Sequence, residues 1–416
     1  MTMNSAAGSS TPLEELYMDL HQNPELSFSE HRTSALIAER LLALGLDVTT
    51  GIGGTGVVGV LTTGEGPVVM LRADMDALPV KEDTGLPYAS TARGIDGNGT
   101  DVPVMHACGH DIHMAALLGA LEQLVATRSQ WSGTLIALFQ PAEENGGGAQ
   151  VMVDDGLYTK IPLPDVVLGQ HVFPFPAGKL GAHPGPAMAA VDSLNVRMFG
   201  RGGHGSEPET TIDPVVMAAA TVMRLQGVVA REVGAQEVAV VSIGSLHVGA
   251  TSNIISDEAR LGISIRSFDE GVRARVIDAV ERIVTAEAMA SGATTPPEFS
   301  YAERYPVTVN DPIASERTMA AFRAAFGEAR MFDPGALTGS EDVGNLASAA
   351  GAPLVYWMLG GSDPEEYAAA ESAGTIRSDI PTNHSPHYAP VMQPTLATGV
   401  EALVVAAREW LGRAAR

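Results

Sequence analysis

The chain has 416 residues, of which 45% are hydrophobic, and this length predicts two domains with well-buried cores. Its 49 acidic and 25 basic residues give a formal net charge of −24, which disfavours binding to nucleic acid or to an anionic membrane surface. Uncharged apolar stretches stay well short of the ~20 residues that a membrane span needs. A single cysteine excludes an intramolecular disulfide, and residues 1–10 lack a basic or apolar leader, so we expect a soluble cytoplasmic protein.

The first part of the chain is predicted to alternate between helices and strands. Helical periodicity covers residues 11–44 and is interrupted at Asn23 and Pro24. Alternating β and α patterns continue to about residue 180, which is typical of a largely parallel sheet covered by helices. Residues 54–59 match the letters of a dinucleotide-binding fingerprint, but a β-branched run follows them in place of a helix. We therefore interpret that segment as a turn and a strand.

A smaller domain is predicted in the middle of the chain. Its elements are a strand, a glycine-rich turn, a helix, two strands, a second helix and a closing strand, at residues 193–199, 200–205, 213–231, 237–247, 254–268, 270–289 and 298–301. Helix and strand patterns resume after Pro306 and end in an amphipathic helix to Trp410. We therefore expect residues 188–302 to form an inserted α+β domain of βαββαβ order, and residues 1–187 with 303–416 to form a discontinuous α/β domain.

The only cysteine lies in the segment His-Ala-Cys-Gly-His-Asp, residues 106–111. This segment precedes a predicted helix over 111–126, so Cys108 and His110 are expected on a loop at the helix N-terminus, where the helix dipole favours the thiolate. A thiol between imidazoles and a carboxylate indicates a metal site, and a divalent ion would deprotonate it. A buried structural cysteine is the alternative.

Three short apolar runs are predicted to be buried strands, and each leads into metal-binding side chains. The runs at 68–71, 135–139 and 166–169 are followed by Asp74 and Asp76, by Glu143 and Glu144, and by His171. In an open α/β sheet, ligands bind beyond the carboxyl ends of the strands. We therefore expect these side chains to converge at one edge of the sheet.

Glu143 and Glu144 are adjacent carboxylates, and neighbouring side chains on extended backbone point in opposite directions. One can bind a metal ion while the other takes a proton from a water molecule whose pKa the ion lowers. Asp74 is a candidate to fix a metal-binding histidine from behind. A solvated acidic pair is the alternative reading of the two glutamates, and a turn-forming role is the alternative for Asp76.

Six segments resemble, in order, the motifs of the co-catalytic metallopeptidase family that contains hippurate hydrolases, bacterial aminoacylases and plant auxin-conjugate amidohydrolases. They are residues 72–79, 105–113, 140–148, 169–171, 200–206 and 384–386, and they span nearly the whole chain. The resemblance implies a catalytic domain that binds two divalent ions and an inserted lid domain that forms a homodimer.

The resemblance also implies roles for residues of this sequence. Glu143 matches the general base, and the implied metal ligands are Cys108, His110, Glu144, His171 and His384. In the lid, His204 resembles a residue that stabilises the oxyanion in the active site of the partner subunit, and Asn253 and Arg266 fall where relatives bind the substrate carboxylate. A simple turn around His204 and a strand-surface charge at Arg266 are the alternatives.

Two departures from the family pattern are present. His387 lies beside His384 as a rival ligand, and Ser256 stands where proline is expected. The first affects the choice of the last ligand, and the second leaves the substrate preference open.

We therefore predict a metal-dependent amidohydrolase that cleaves the amide bond of N-acyl amino acids with a metal-activated water and Glu143 as general base. Mixed sulfur, nitrogen and oxygen ligation suits zinc, with manganese, cobalt or nickel as alternatives. A dipeptidase, carboxypeptidase-like peptidase or carbamoylase on the same site is the nearest alternative function. A non-catalytic metal-binding protein and a nicotinamide-dependent oxidoreductase, the latter resting on residues 54–59 alone, are alternatives of other classes.

Overall fold

The structure is a computed structural model that describes residues 11–414. Residues 1–10, on which the prediction of a cytoplasmic location partly depends, lie outside this range. The chain forms two compact units. The first runs to Gly185 and resumes at Asn310–Gly335 and from Asp342 onwards, and the second comprises Pro186–Val309 and Ala336–Glu341. The predicted insert, 188–302, falls within the second unit, and its boundaries as an independently folding domain stay a prediction.

Within residues 11–414 the α-helices are numbered α1 to α13 in chain order. They span Pro12–Gln22, His31–Ala43, His110–Ala126, Gly148–Asp154, Leu157–Lys160, Pro214–Leu225, Gly227–Glu232, Glu270–Ala290, Pro312–Phe326, Gly344–Ala350, Pro364–Ala373, Ile376–Asp379 and Met392–Trp410. No helix in this described range combines the length and the apolar character needed to cross a bilayer.

The strands of the same described range are numbered β1 to β20. They span Asp47–Ile52, Gly56–Thr62, Val68–Asp74, Arg93–Ile95, Asp101–Pro103, Trp131–Ser132, Thr134–Gln140, Val166–Pro176, Leu180–Gly181, Gly185–Met188, Ala190–Phe199, Gly203–His204, Ala239–Val248, Ile254–Ile255, Glu258–Ser267, Glu298–Tyr305, Thr308–Asn310, Met331–Phe332, Leu354–Ser362 and Gly412–Arg413.

The first unit is built around an eight-stranded sheet of order β1-β2-β7-β3-β8-β19-β9-β18. Its centre, β7-β3-β8-β19, is parallel, and β1-β2-β7 and β19-β9 pair in antiparallel fashion. Every residue of β7 is buried, as expected for a strand that helices cover on both faces. Residues of α1, α2, α3, α9 and α13 share one apolar core with these strands. The predicted largely parallel α/β fold is confirmed.

Several local predictions for the first unit are also confirmed. The helical pattern of residues 11–44 is divided into α1 and α2, with the break at Asn23 and Pro24. The segment that matches the dinucleotide fingerprint forms a turn and the start of β2. A helix does not follow it there, so this segment lacks the geometry that binds a pyrophosphate.

The second unit contains a four-stranded antiparallel sheet of order β13-β15-β11-β16. Buried and less buried residues alternate along β11 and β15, and the buried set shares a core with α6, α7 and α8. The predicted α+β arrangement of this region is confirmed. The helix predicted over 213–231 is two helices, α6 and α7, which meet at Gln226 and Gly227, where glycine lowers the helix propensity.

His21 of α1 is buried in the first unit between two carboxylates. Its Nδ1 lies 2.6 Å from Oδ2 of Asp111 in the first turn of α3, and its Nε2 lies 3.0 Å from Oε1 of Glu82. Burial alone would lower the pKa of His21, but the hydrogen bonds to Asp111 and Glu82 outweigh burial and raise this pKa to about 10. His21 is therefore a buried imidazolium at neutral pH.

We expect this imidazolium to make folding stability depend on alkaline pH. The pKa of His21 is about 10 in the folded chain, against an ordinary value of 6.5, so its stabilising contribution is complete below pH 6.5 and is lost as the pH rises through about 10. Denaturant titrations across this range should show a steeper fall in the free energy of unfolding for the natural chain than for His21→Gln. Parallel curves for the two proteins would contradict the assignment.

Asp192 of β11 is fully buried in the second unit and accepts hydrogen bonds from two arginines. Nε and Nη2 of Arg273 lie 2.7 and 2.9 Å from its oxygens, and Nε of Arg304 lies at 3.0 Å. Arg273 is itself mostly buried, with 12% of its side chain exposed. The Asp192 carboxylate therefore neutralises the positive charge of an Arg273 guanidinium that has little access to water.

Asp192→Ala should lower the free energy of unfolding by about 3–5 kcal/mol, because it leaves the Arg273 guanidinium without its main counter-ion. Asp101→Ala is the matched control, since its partner Arg93 and Asp101 itself are both more than half exposed, and its cost should stay below about 1 kcal/mol. Denaturant titration of both variants checks the contrast. A similar small effect at both positions would show that the Asp192 cluster contributes no more than a surface pair.

Candidate metal centre

Three neighbouring parallel strands bring predicted site residues to one edge of the first unit's sheet. Asp74, the last residue of β3, is paired with Gln140, the last residue of β7, and β8 lies on the other side of β3. Parallel strands end on the same edge, so the turn after β7 and the end of β3 are adjacent. His171 lies inside β8 and not after it as predicted, because pairing with β19 continues through His171 and Met358 to the end of β8.

Cys108 and His110 lie on either side of Gly109, a position that only glycine can occupy without strain. Gly109 has φ +84°, and a Cβ there would lie 2.4 Å from Cγ1 of Val172. His110 is the first residue of α3 and not part of the preceding loop as predicted. Its Nδ1 donates to the carbonyl of Asp76 at 2.9 Å, so in the neutral ring Nε2 carries the lone pair. Burial disfavours the charged ring, but the charge of Asp74, the hydrogen bond to Asp76 and the charge of Glu144 raise the pKa of His110 to about 10 in the protein alone. A cation at Nε2 would therefore replace a proton. Among the described residues this buried Nε2 has no hydrogen-bond partner.

Cys108 lies against the end of the loop that contains His384. Its Sγ is 3.4 Å from Nε2 of His171, and Nδ2 of Asn383 donates to its carbonyl at 3.1 Å. Burial, followed by the negative charges of Glu144 and Glu143, raises the pKa of the thiol well above its ordinary value. The prediction that the helix dipole favours the thiolate is therefore wrong for the protein alone, because burial outweighs the dipole. A bound cation would reverse this balance.

The turn after β7 is held by a buried carboxylate. Asp76 accepts hydrogen bonds from the backbone N–H groups of Glu143 and Glu144, both at 3.1 Å. Oε1 of Glu144 lies 3.8 Å from Nε2 of His110 and, like it, is buried without a hydrogen-bond partner among the described residues. Oε2 of Glu143 lies 4.0 Å from the same nitrogen. Both glutamates of the pair therefore face His110.

His171 has its ring orientation fixed by a neighbouring backbone carbonyl. Its Nδ1 donates to the carbonyl of Val172 at 2.8 Å, so its Nε2 presents a lone pair toward Cys108. Burial, together with the charges of His113 and His110, lowers the pKa of His171 well below its ordinary value. The ring is therefore neutral, which is the form that binds metal.

The loop after α12 brings His384 to Glu144. Nε2 of His384 lies 3.3 Å from Oε2 of Glu144, and this hydrogen bond raises the pKa of His384. The backbone of His384 has φ +71°, and its N–H donates to the carbonyl of Ala107 at 2.8 Å. The predicted rival, His387, donates instead through Nδ1 to the carbonyl of Asp83 at 2.7 Å.

His113 is a site residue that the sequence analysis did not single out. Its Nδ1 lies 2.5 Å from Oδ1 of Asp74, and its Nε2 accepts the N–H of Val172 at 2.8 Å. Asp74 also binds Nη1 of Arg72 at 2.7 Å and lies 3.7 Å from Nε2 of His110. The available signal was the three-residue spacing of His110 and His113, which places both on one face of α3.

These donor atoms fit a divalent cation. One donor atom from each of Cys108, His110 and Glu144 lies within 4.8 Å of the other two. Buried polar atoms without partners are costly, and among the described residues Nε2 of His110 and Oε1 of Glu144 are in that state 3.8 Å apart, so an ion would satisfy both. The same distance holds for Asp74, His110, His113 and His171. Because both ring nitrogens of His113 are hydrogen-bonded, His113 supports this group and is not free to act as a ligand.

In the second unit, His204 lies on the short strand β12 and lines a groove of about 1060 Å³. Its Nδ1 accepts the N–H of Ser206 at 3.1 Å. In the neutral ring the proton is therefore on Nε2, which leaves Nε2–H as a donor toward other groups. His204 is exposed.

The two predicted carboxylate-binding residues lie at different places in this unit. Asn253 directly precedes β14 and is exposed, and its carbonyl accepts the N–H of Gly205 at 2.9 Å. Arg266 lies on β15 and donates through Nη1 to the carbonyl of Thr338 at 2.7 Å. The hydroxyl of Ser256, at the position where proline was expected, lies 3.2 Å from the carbonyl of Glu258. In the short strand pair β12-β14, His204 is paired with Ile254, the residue that follows Asn253.

The chain is similar to curated proteins along most of its length. Thermostable carboxypeptidase 2 of Saccharolobus solfataricus is 38% identical over 346 residues, which cover 82% of this chain and 84% of that protein. The hippurate hydrolase of Campylobacter jejuni is 39% identical over 334 residues, which cover 80% of this chain and 84% of that protein.

A solved structure is similar over a larger part of the chain. It is that of the Bacillus subtilis YXEP protein, described as a dinuclear metal binding peptidase from the M20 family, with a TM-score of 0.74, 27% identity and coverage of 95% of this chain and 96% of that one. Residues 70–382 match the family model described as peptidase family M20/M25/M40. The resemblance inferred from the motifs is thereby confirmed, and the chain belongs to peptidase family M20/M25/M40.

Proposed function

We propose that the protein is a metal-dependent amidohydrolase that cleaves the amide bond of N-acyl amino acids. The observation that carries this proposal is the pair Glu143 and Glu144, which Asp76 holds by two consecutive backbone amides beside Cys108 and His110. Glu144 belongs with Cys108 and His110 to a group that fits a cation. Family membership and the relative named hippurate hydrolase support the amide class, since hippurate is an N-acyl glycine.

Glu143 is the residue that we assign to proton transfer. Bound divalent ions lower the pKa of a water molecule and polarise an acyl carbonyl. The Glu143 carboxylate would accept a proton from such a water and deliver it to the leaving nitrogen. Only 5% of Glu143 is exposed, and a site that excludes bulk water strengthens such electrostatic interactions.

We infer that two divalent ions are held by Cys108, His110, Glu144, His171 and His384. The ring orientations support this set, because Nδ1 of His110 and Nδ1 of His171 donate to backbone carbonyls and leave Nε2 for a cation. Zinc suits the mixture of sulfur, nitrogen and oxygen, with manganese, cobalt and nickel as alternatives.

We assign the recognition of substrate to residues of the second unit. Nε2–H of His204 would stabilise the oxyanion from the partner subunit of a homodimer, and Asn253 with Arg266 would bind the carboxylate of the amino acid. We place the enzyme in the cytoplasm, because its one thiol is assigned to a metal site that reducing surroundings keep intact.

A carboxypeptidase-like activity is the second candidate, favoured by the similarity to thermostable carboxypeptidase 2. A peptide with a free C-terminus presents the same amide next to the same carboxylate as an N-acyl amino acid. The two activities therefore differ only in what the site accepts on the acyl side, where the walls of the pocket decide the preference. Comparing hippurate-type substrates with dipeptides in one assay separates them.

Glu143→Gln should retain its metal ions and lose kcat by about 10²–10⁴-fold, because the amide cannot take a proton from water. Glu144→Gln should lose metal ions as well as activity, because it removes a ligand. Elemental analysis and hydrolysis of N-acyl amino acids measure the two properties separately. Glu122→Gln, an exposed carboxylate on α3, is the control and should change neither property. Natural turnover in Glu143→Gln, or in protein stripped of metal by a chelator, would end the proposal.

Arg266→Ala should raise KM for N-acyl amino acids by about 10–100-fold, because a charge-assisted hydrogen bond to the carboxylate is lost. Substrates in which that carboxylate is replaced by an amide should be affected much less. Arg260→Ala is the matched control, since Arg260 is a largely exposed arginine on the same strand, β15. An equal loss for both classes of substrate would contradict a direct contact between Arg266 and the carboxylate.

A further inference from the structure

Ala142, the residue directly before Glu143, has a backbone conformation that L-amino acids rarely adopt. Its φ is +48°, in the left-handed region where a side chain with a Cβ is disfavoured. Its carbonyl accepts the N–H of Gly148 at 3.1 Å. A Cβ on Gly148 would lie 1.7 Å from the carbonyl oxygen of Pro141, so the two ends of this turn are in close contact. Such strain persists only where the surrounding contacts impose it.

One of these contacts comes from a distant buried carboxylate. Oε1 of Glu30 accepts the N–H of Ala142 at 2.9 Å, across a separation of 112 residues. Oε2 of Glu30 accepts the hydroxyl of Thr55 at 2.5 Å. Glu30 is completely buried and precedes the first residue of α2, yet its side chain makes no hydrogen bond to that helix. Negative charge is favourable at a helix N-terminus, but the hydrogen bonds of this carboxylate go to Ala142 and Thr55 and not to the helix.

Together, Glu30 and Asp76 bind three consecutive backbone amides. Glu30 takes the N–H of Ala142, and Asp76 takes those of Glu143 and Glu144. Burial and the nearby charge of Asp76 raise the pKa of Glu30 to about 7. Near neutral pH the Glu30 side chain is therefore ionised only in part, and the oxygen that accepts the N–H of Ala142 does not need a full negative charge. The amide oxygen of a glutamine, whose side chain has the same length, can accept the same N–H.

We propose that Glu30 is a positioning residue for Glu143: it holds Ala142 in the left-handed conformation and so sets the direction of the Glu143 side chain. This inference rests on the role of Glu143 under the proposed function. Without the acceptor, the Ala142 peptide can rotate toward a relaxed conformation, and the side chain that follows it turns with it. Proton transfer depends steeply on such placement, because small displacements of a catalytic group cost large factors in rate.

The test compares Glu30→Ala, Glu30→Gln, Ala142→Gly and the double variant Glu30→Ala/Ala142→Gly in metal-replete protein. Glu30→Ala should lower kcat on the order of 10- to 100-fold, with KM and metal content close to those of the natural chain. Glu30→Gln should retain most of kcat, because its amide oxygen can accept the same N–H. Glycine adopts the left-handed conformation at no steric cost, so the double variant should recover a measurable part of the loss.

Glu25→Ala is the matched control, because it removes a carboxylate that accepts the backbone amides of Arg32 and Thr33 in α2 and no amide of the turn before Glu143. Its kcat should stay close to that of the natural chain. Natural kcat in Glu30→Ala, absence of recovery in the double variant, or a loss of bound metal that accounts for the whole decrease would each overturn the inference.

If Glu30→Ala does not fold, Glu30→Asp takes its place. The aspartate keeps the carboxylate but is too short to reach the N–H of Ala142, so its kcat should be lower than that of Glu30→Gln. A higher kcat in Glu30→Asp than in Glu30→Gln would overturn the inference. Glu143→Gln is measured in parallel. If Glu143→Gln has the same kcat as the unsubstituted protein, the proposed function has failed. If Glu143→Gln has a low kcat but Glu30→Ala has the kcat of the unsubstituted protein, only the positioning role of Glu30 has failed.

Discussion

The parallel pairing of β7, β3 and β8 is the constraint on which the candidate site depends. Adjacent strands lie about 4.8 Å apart, so side chains near their ends meet without help from long loops. β3 lies between the other two, and the carboxylates at and just after its end contact groups on other elements. Asp74 contacts His113 of α3, and Asp76 binds the turn after β7. The end of the central strand therefore supports one group on α3 and another on the turn after β7.

Much of this fold follows from local pattern in the sequence. Short apolar runs predicted β3, β7 and β8, and strand patterns predicted the strands of the second unit, because neighbouring residues in the sequence determine whether a segment favours a strand. Predictions of this kind need no knowledge of distant contacts.

The features that sequence reasoning missed all depend on residues far away in the chain. β8 continues past His171 because β19 pairs with it, and β19 comes almost two hundred residues later. Glu30 resembles an ordinary acidic residue at the start of a helix until its contact with Ala142 is seen. His113 is marked in the sequence only by its three-residue spacing from His110, whereas the hydrogen bonds of both its ring nitrogens appear only in the folded chain. The protonation of Cys108 was misjudged for the same reason, since burial is a property of the whole unit.

The first unit consists of sequence segments that are separated by the second unit, and this separation affects the order in which its strands leave the ribosome. β19, which lies between β8 and β9 in the sheet, and the loop with His384 both leave the ribosome after the entire second unit has been made. The second unit, whose strands and helices are nearly contiguous in sequence, has its main segments available earlier. During synthesis, the nascent first unit therefore carries an open sheet edge at β8 until its C-terminal third emerges, and this interval is when that edge is exposed to other chains and to chaperones.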